Sequence, residues 1–190
     1  MVVLENPEGD LLKSYIALIR GINVGGRNSL PMKDLVGLFH SLGYRNVQTY
    51  IQSGNVVFQS HKSLGASDSG NIANAILDLK GFEPRVMLVN AETLKSAIEE
   101  NPFPTDNPKA LHFFFLESQA EEPNLGRLMS LKAESERFEL GKFGFYLYTP
   151  DGLGRSKLGS AVEKALGVAV TARNWNTVDK LASMLSQVSQ

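Results

Sequence analysis

A run of residues with the makings of a site is Arg20-Gly21-Ile22-Asn23-Val24-Gly25-Gly26-Arg27-Asn28. Glycines accept positive φ and bring bare backbone N–H groups close to a ligand. Two arginines and two asparagines flank them, so charge, donors and acceptors meet in one loop. The chemistry this favours is capture of an anion by Arg20 and Arg27, by the amides of Asn23 and Asn28, and by the backbone of Gly25 and Gly26. The spacing Gly21-x-x-x-x-Gly26-Arg27-Asn28 approaches a phosphate-binding P-loop, but the lysine and the hydroxyl that reach phosphate and Mg²⁺ are missing. Pro31 also delays the following helix, so the glycine N–H groups do not run straight into its positive end. The competing reading is that the glycines serve only a sharp strand-to-helix turn.

Three further clusters carry polar groups. Gln52, Ser53 and Asn55 surround Gly54 in a tight turn. They bind polar ligands well and make poor acid–base catalysts, since none titrates near neutrality. Gly154, Arg155, Ser156 and Lys157 stand at a helix start, where anions are favoured, although Ser156 is equally suited to be a simple N-cap. Arg173, Asn174 and Trp175 pair a guanidinium with the single tryptophan, a combination that can stack a flat ligand. A core tryptophan is the plainer alternative. His40, His61 and His112 fall in a helix, a loop and a strand without ligand spacing, so no metal site and no cofactor are expected. No paired carboxylates stand out for glycoside hydrolysis, and adjacent Ser156 and Lys157 point apart on a helix. No catalytic residue is assigned.

The elements that must position these groups follow from periodicity. Tyr15–Ile19 reads as a strand; Met32, Leu35, Val36, Phe39 and Leu42 recur at helical spacing from Pro31 to Gly43. Val47–Ile51 and Val56–Phe58 form a hairpin, His61–Ser69 has loop composition, Ile72 to Leu79 is helical, and Arg85–Val89 is a strand. This order is βαββαβ, the ferredoxin-like unit. A linking helix, Ala91–Glu100, ends at Asn101-Pro102-Phe103-Pro104. The order then repeats: strand Leu111–Leu116, helix Leu125–Lys132, hairpin Arg137–Leu140 with Phe143–Tyr148, helix Ser156–Leu166, strand Val168–Thr171 and a closing helix Thr177–Val188. The expected fold is therefore α+β, two ferredoxin-like halves in a duplicated arrangement with antiparallel sheets. Its expected parts are an N-terminal tail (1–13), a first half with the linking helix (14–104) and a second half with the C-terminal helix (105–190). In such a unit strands one and two run the same way, which places Arg20–Asn28 beside Gln52–Asn55. By the same logic Asp151–Lys157 shares a sheet end with Thr171–Trp175.

Composition bounds the function. The 190 residues have 43% hydrophobic and 21% charged content, ordinary for a globular protein, and a net charge of -1 gives no overall attraction to nucleic acid. Any anion binding must then come from a local patch. The absence of cysteine removes thiol nucleophiles, disulfides and Cys-ligated metals, and fits a reducing cytoplasm. No apolar run is long enough for a membrane helix, and the acidic N-terminal stretch does not read as a signal peptide. No membrane partner is expected.

Several multi-residue runs, in order, resemble the bacterial domain-of-unknown-function family 1697. They are Arg20–Gly26, Tyr50–Phe58, Asn101–Pro104, Asp151–Leu158 and Arg173-Asn174-Trp175. The likeness extends from Tyr15 to the last helix; Leu153 stands where isoleucine is expected and Ala172 where threonine or serine is usual. The resemblance implies a two-part α+β fold of ferredoxin-like character and no particular activity. The leading expectation is binding of a small anionic ligand, such as a phosphorylated metabolite or nucleotide, or of nucleic acid. The alternatives are an enzyme of phosphoryl or nucleotidyl chemistry and a protein-interaction module.

Overall fold

Apolar β-branched and aromatic runs are organised here as central strands. In the computed structural model, which describes residues 12–188, Tyr15–Ile19 is buried throughout. Such a strand is covered on both faces, which is why it reads as a continuous apolar run instead of an alternating one. It forms the middle of β1 (Lys13–Arg20) and is followed by α1 (Met32–Ser41), β2 (Arg45–Tyr50), β3 (Asn55–Ser60), α2 (Ala66–Lys80) and β4 (Arg85–Asn90). The antiparallel sheet has the order β2-β3-β1-β4. Residues 1–11 of the expected N-terminal tail lie outside the described residues.

The helices of this unit begin and end for local reasons. Pro31 takes the N-cap position of α1 and its carbonyl accepts from Leu35 N–H at 3.1 Å, while Gly43 just past the end holds φ 87°. α2 begins at Ala66, so its first turn lies inside the polar stretch that composition assigns to a loop. Asp68 explains the difference: its carboxylate accepts from Gly65 N–H at 2.9 Å and from Lys62 Nζ at 2.7 Å, capping the turn. α1 contributes Leu35, Leu38 and Phe39, and α2 Ile72 and Ile76, to a core with Tyr15, Ala17, Ile19, Val56 and Phe58 of the sheet.

The second βαββαβ run comprises β5 (Leu111–Leu116), α4 (Leu125–Leu131), β6 (Arg137–Leu140), β7 (Gly144–Tyr148), α5 (Lys157–Leu166) and β8 (Val170–Asn174), ordered β6-β7-β5-β8 and antiparallel. α3 (Ala91–Glu99) precedes it and α6 (Trp175–Val188) follows. One sheet face packs Phe114, Phe145 and Leu147 against Leu128, Leu158, Val162 and Leu166. On the other, Phe113 lies 4.7 Å from Phe115 and 4.8 Å from Tyr146 between ring centroids. The Tyr146 hydroxyl donates to Ala97 O of α3 at 2.7 Å, and burial pushes its pKa far above the ordinary value. β8 runs three residues beyond the strand that the sequence predicts, because residues 172–174 pair with His112–Phe114 of β5. The two fold repeats thus form two four-stranded antiparallel sheets with their helices, as expected of duplicated ferredoxin-like halves. The chain divides into two compact units, residues up to Asn90 with those from Met184 onward, and Ala91–Ser183.

Candidate functional site

At the end of β1 the chain builds a small hairpin. Asn23 N–H bonds Asn28 O at 3.0 Å and Arg27 N–H bonds Val24 O at 3.1 Å, around Gly25 and Gly26. Those two glycines hold φ 58° and 73°, the paired positive values of a type I′ turn. A Cβ at either position would meet nothing within 4 Å, so backbone conformation and not crowding calls for glycine. Asn28 holds φ 52° and donates from Nδ2 to Gly21 O at 3.0 Å.

Asn23 joins this hairpin to the next loop. At φ 55° its Nδ2 donates to Leu30 O at 2.9 Å and to Gln52 O at 3.0 Å, and its Oδ1 accepts from Leu30 N–H at 2.8 Å. Ile19 N–H adds a bond to Gly54 O at 2.8 Å, and a Cβ on Gly54 would lie 2.5 Å from Ile19 O. Arg20–Asn28 and Gln52–Asn55 therefore meet, as strand direction requires. The polar groups of the second loop are partly spent locally: Asn55 is fully buried and donates to Ser53 Oγ at 2.8 Å and to Tyr50 O at 3.2 Å. Arg20, the last residue of β1, is exposed and stands opposite Arg85 in register; Arg27 and Gln52 are exposed.

Two residues at this end were not singled out by sequence. Val24 is 66% and Ile51 54% exposed, and Ile51 holds φ 47°. A β-branched residue rarely adopts that conformation. Val24 precedes a Gly-Gly pair, which marks it as a turn residue; nothing in the sequence around Ile51 signals its backbone.

The second unit uses its polar turn residues differently. Gly154 and Arg155 lie in a single 3-10 turn, Leu153–Arg155, and both are exposed. Ser156 is buried as the N-cap of α5, its Oγ accepting from Gly159 N–H at 2.8 Å; Lys157 beyond it is exposed. Arg173 sits within β8 opposite Phe113, donates from Nη1 to Ala172 O at 2.9 Å, and is lowered by desolvation to a pKa of about 10. Asn174 Oδ1 accepts from both N–H and Oγ1 of Thr177 at 3.0 Å, which caps α6. Trp175 is only 6% exposed and its backbone N–H bonds Pro108 O at 3.2 Å. The two clusters share a sheet end, since Tyr148 pairs with Leu111 and Asn174 with His112.

The first loop end leaves backbone donors outside its own bonding. Among the described residues no backbone bond uses the N–H of Gly25 or Gly26, and the exposed Arg27 follows them in the chain. No group of three or more His, Cys, Asp or Glu among the described residues could hold a metal ion. His40 and His61 are exposed; His112 is buried, and burial lowers its pKa. No helix among the described residues is long and apolar enough to cross a membrane.

Two antiparallel βαββαβ units, each with a Gly- and Arg-bearing turn at one sheet end, define an α+β protein of duplicated ferredoxin-like type. Residues 12–146 match the family described as "Protein of unknown function (DUF1697)", and the chain belongs to that family. Among solved structures it is similar to the conserved bacterial protein SP0830 from Streptococcus pneumoniae, at 25% identity and a TM-score of 0.68. That likeness covers 92% of this chain and 99% of the other. No protein with a curated description matches it.

Proposed function

We propose that the protein binds an anionic ligand in the cytoplasm, at the loop end formed by Arg20–Asn28 and Gln52–Asn55. The observation that carries this reading is the exposed Gly25-Gly26 turn, whose two N–H groups take no part in the loop's own backbone bonding while Arg27 stands beside them. Backbone donors next to a guanidinium suit phosphate oxygens, and a turn fixed by Asn23 and Asn28 is ordered before the ligand arrives. In the second unit Ser156 and Asn174 serve as helix caps and Trp175 is core, which leaves Arg155 and Lys157 as subsidiary exposed cations. The ligand class is a phosphorylated metabolite, a nucleotide or a nucleic-acid segment.

Titration of ¹⁵N-labelled protein with pyrophosphate and with ATP tests this. Saturable amide shifts are expected at Gly25, Gly26 and Arg27, and Arg27→Ala should weaken binding about tenfold, the size of one charge-assisted bond. Absence of saturable shifts at the loop with either compound would remove the reading.

A further inference from the structure

The same loop end carries apolar side chains that internal packing leaves in water. Val24 and Ile51 are 66% and 54% exposed, and they belong to loops joined by the Asn23 Nδ2 bond to Gln52 O at 3.0 Å. Ile51 is held there in a left-handed conformation, an arrangement that tends to persist at functional sites.

Charge is distributed unevenly around them. From Arg20 to Leu42 the sequence holds three basic residues, Arg20, Arg27 and Lys33, and one acidic residue, Asp34, although the whole chain carries -1. Asp34 is paired with Lys80 at 2.6 Å. Arg20 ends β1, Arg27 lies on the loop that follows, and Lys33 stands in the first turn of α1. A cavity of about 560 Å³ in this unit lies elsewhere, between α1 and α2 among Gly37, Leu38 and Ala75. A protruding turn with cations around it suits an extended partner better than a small enclosed one.

We propose that this end docks on a DNA duplex, with Arg27, Lys33 and Arg20 on backbone phosphates and Val24 and Ile51 forming an aliphatic wedge against the base edges. Aliphatic wedges flanked by arginine are how many proteins engage the minor groove. Single strands are held instead by stacking on exposed aromatic rings, and the large apolar side chains exposed among the described residues are all aliphatic or methionine. The inference rests on the anion-binding reading above and specifies its ligand.

Fluorescence anisotropy with the full chain tests it, using labelled RNA and DNA duplexes of about 20 base pairs, a matching single strand, and salt from about 50 to 300 mM. Three phosphate contacts predict a slope of log K against log salt near -2.7, and Arg27→Ala should reduce its magnitude by about 0.9. Val24→Ser combined with Ile51→Asn should weaken binding roughly fivefold or more with the slope unchanged; asparagine tolerates the backbone at position 51, so folding is retained. Tighter binding of the RNA duplex than of the DNA duplex would overturn the proposal. Saturable binding of pyrophosphate without binding of either duplex would overturn this inference and leave the anion reading standing. Failure of pyrophosphate and both duplexes would remove both. Tighter binding of the single strand, or of phosphatidylserine vesicles, would also overturn it.

Discussion

Replacing Asn23 should separate the contribution of its side chain from that of its backbone conformation. The amide makes three hydrogen bonds, to Leu30 O, to Gln52 O and from Leu30 N–H. A typical bond of this kind contributes about 1 kcal/mol net, and leaving a buried N–H unpaired costs about 1–3 kcal/mol. Leu30 is fully buried, so its N–H has little access to replacement water. Alanine also meets the left-handed conformation at φ 55°, at roughly 1 kcal/mol. Asn23→Ala should then lose about 3–4 kcal/mol, a large share of the roughly 5–15 kcal/mol that stabilises a typical domain. Glycine keeps the conformation at lower strain and loses only the bonds, so Asn23→Gly should lose about 1 kcal/mol less. Asn23→Asp retains an acceptor for Leu30 N–H but turns a carboxylate oxygen towards two carbonyls, and should be at least as unstable as alanine.

Urea unfolding followed by circular dichroism gives the three values, and hydrogen exchange at Leu30 N–H reports the local bond. The reasoning is refuted if Asn23→Ala lies within about 0.5 kcal/mol of the parent, the range of neutral surface changes. It is equally refuted if glycine proves less stable than alanine, since conformation would then not contribute.

Three other outcomes follow from single sites. Ile51→Asn should raise stability by about 1 kcal/mol, because asparagine accepts φ 47° and a half-exposed isoleucine gives up little burial; thermal unfolding checks it. Gly144→Ala should destabilise by about 3 kcal/mol in denaturant titration, since the new Cβ would overlap the Phe113 ring and lie 2.6 Å from Phe114 O. His112 titrates below its ordinary value of 6.5 because burial disfavours the cation, so the unfolded chain binds more protons in that range. Stability should therefore decline as pH falls through 6.5 and level off below the folded pKa; His112→Phe should flatten this part of the profile.

Most of the fold was legible because strands and helices announce themselves by burial period and by punctuation. Pro31, Gly43, Ser156 and Gly167 stand at helix boundaries for reasons of φ or capping that sequence alone conveys. The first turn of α2 escaped because Gly65-Ala66-Ser67-Asp68-Ser69 has loop composition, and its helix start depends on Asp68 reaching back to Gly65 N–H. The end of β8 escaped because Arg173 and Asn174 are poor strand formers, placed there by pairing with Phe113 and His112. At the candidate site, strand direction was enough to bring Asn23 and Gln52 together. The positive φ of Ile51 was not legible, since tertiary and turn constraints override the preference of a β-branched residue.

Turn composition alone does not separate a binding loop from a structural one. Gly, Arg, Ser and Asn occur in both units at a sheet end, and each type can bind a ligand or satisfy the backbone. The distinction lies in where their hydrogen bonds go. Ser156 gives its oxygen to Gly159 N–H and Asn174 gives its oxygen to Thr177, so each closes a helix N-terminus that would otherwise be unsatisfied. Asn23 and Asn28 likewise spend their amides inside the loop, but what they fix is an exposed turn. Removing Ser156 Oγ should therefore disturb helix α5, whereas removing the Arg27 guanidinium should leave the turn folded and alter only what it can bind. That difference makes Arg27, more than any of the asparagines or serines, the residue on which the binding reading stands.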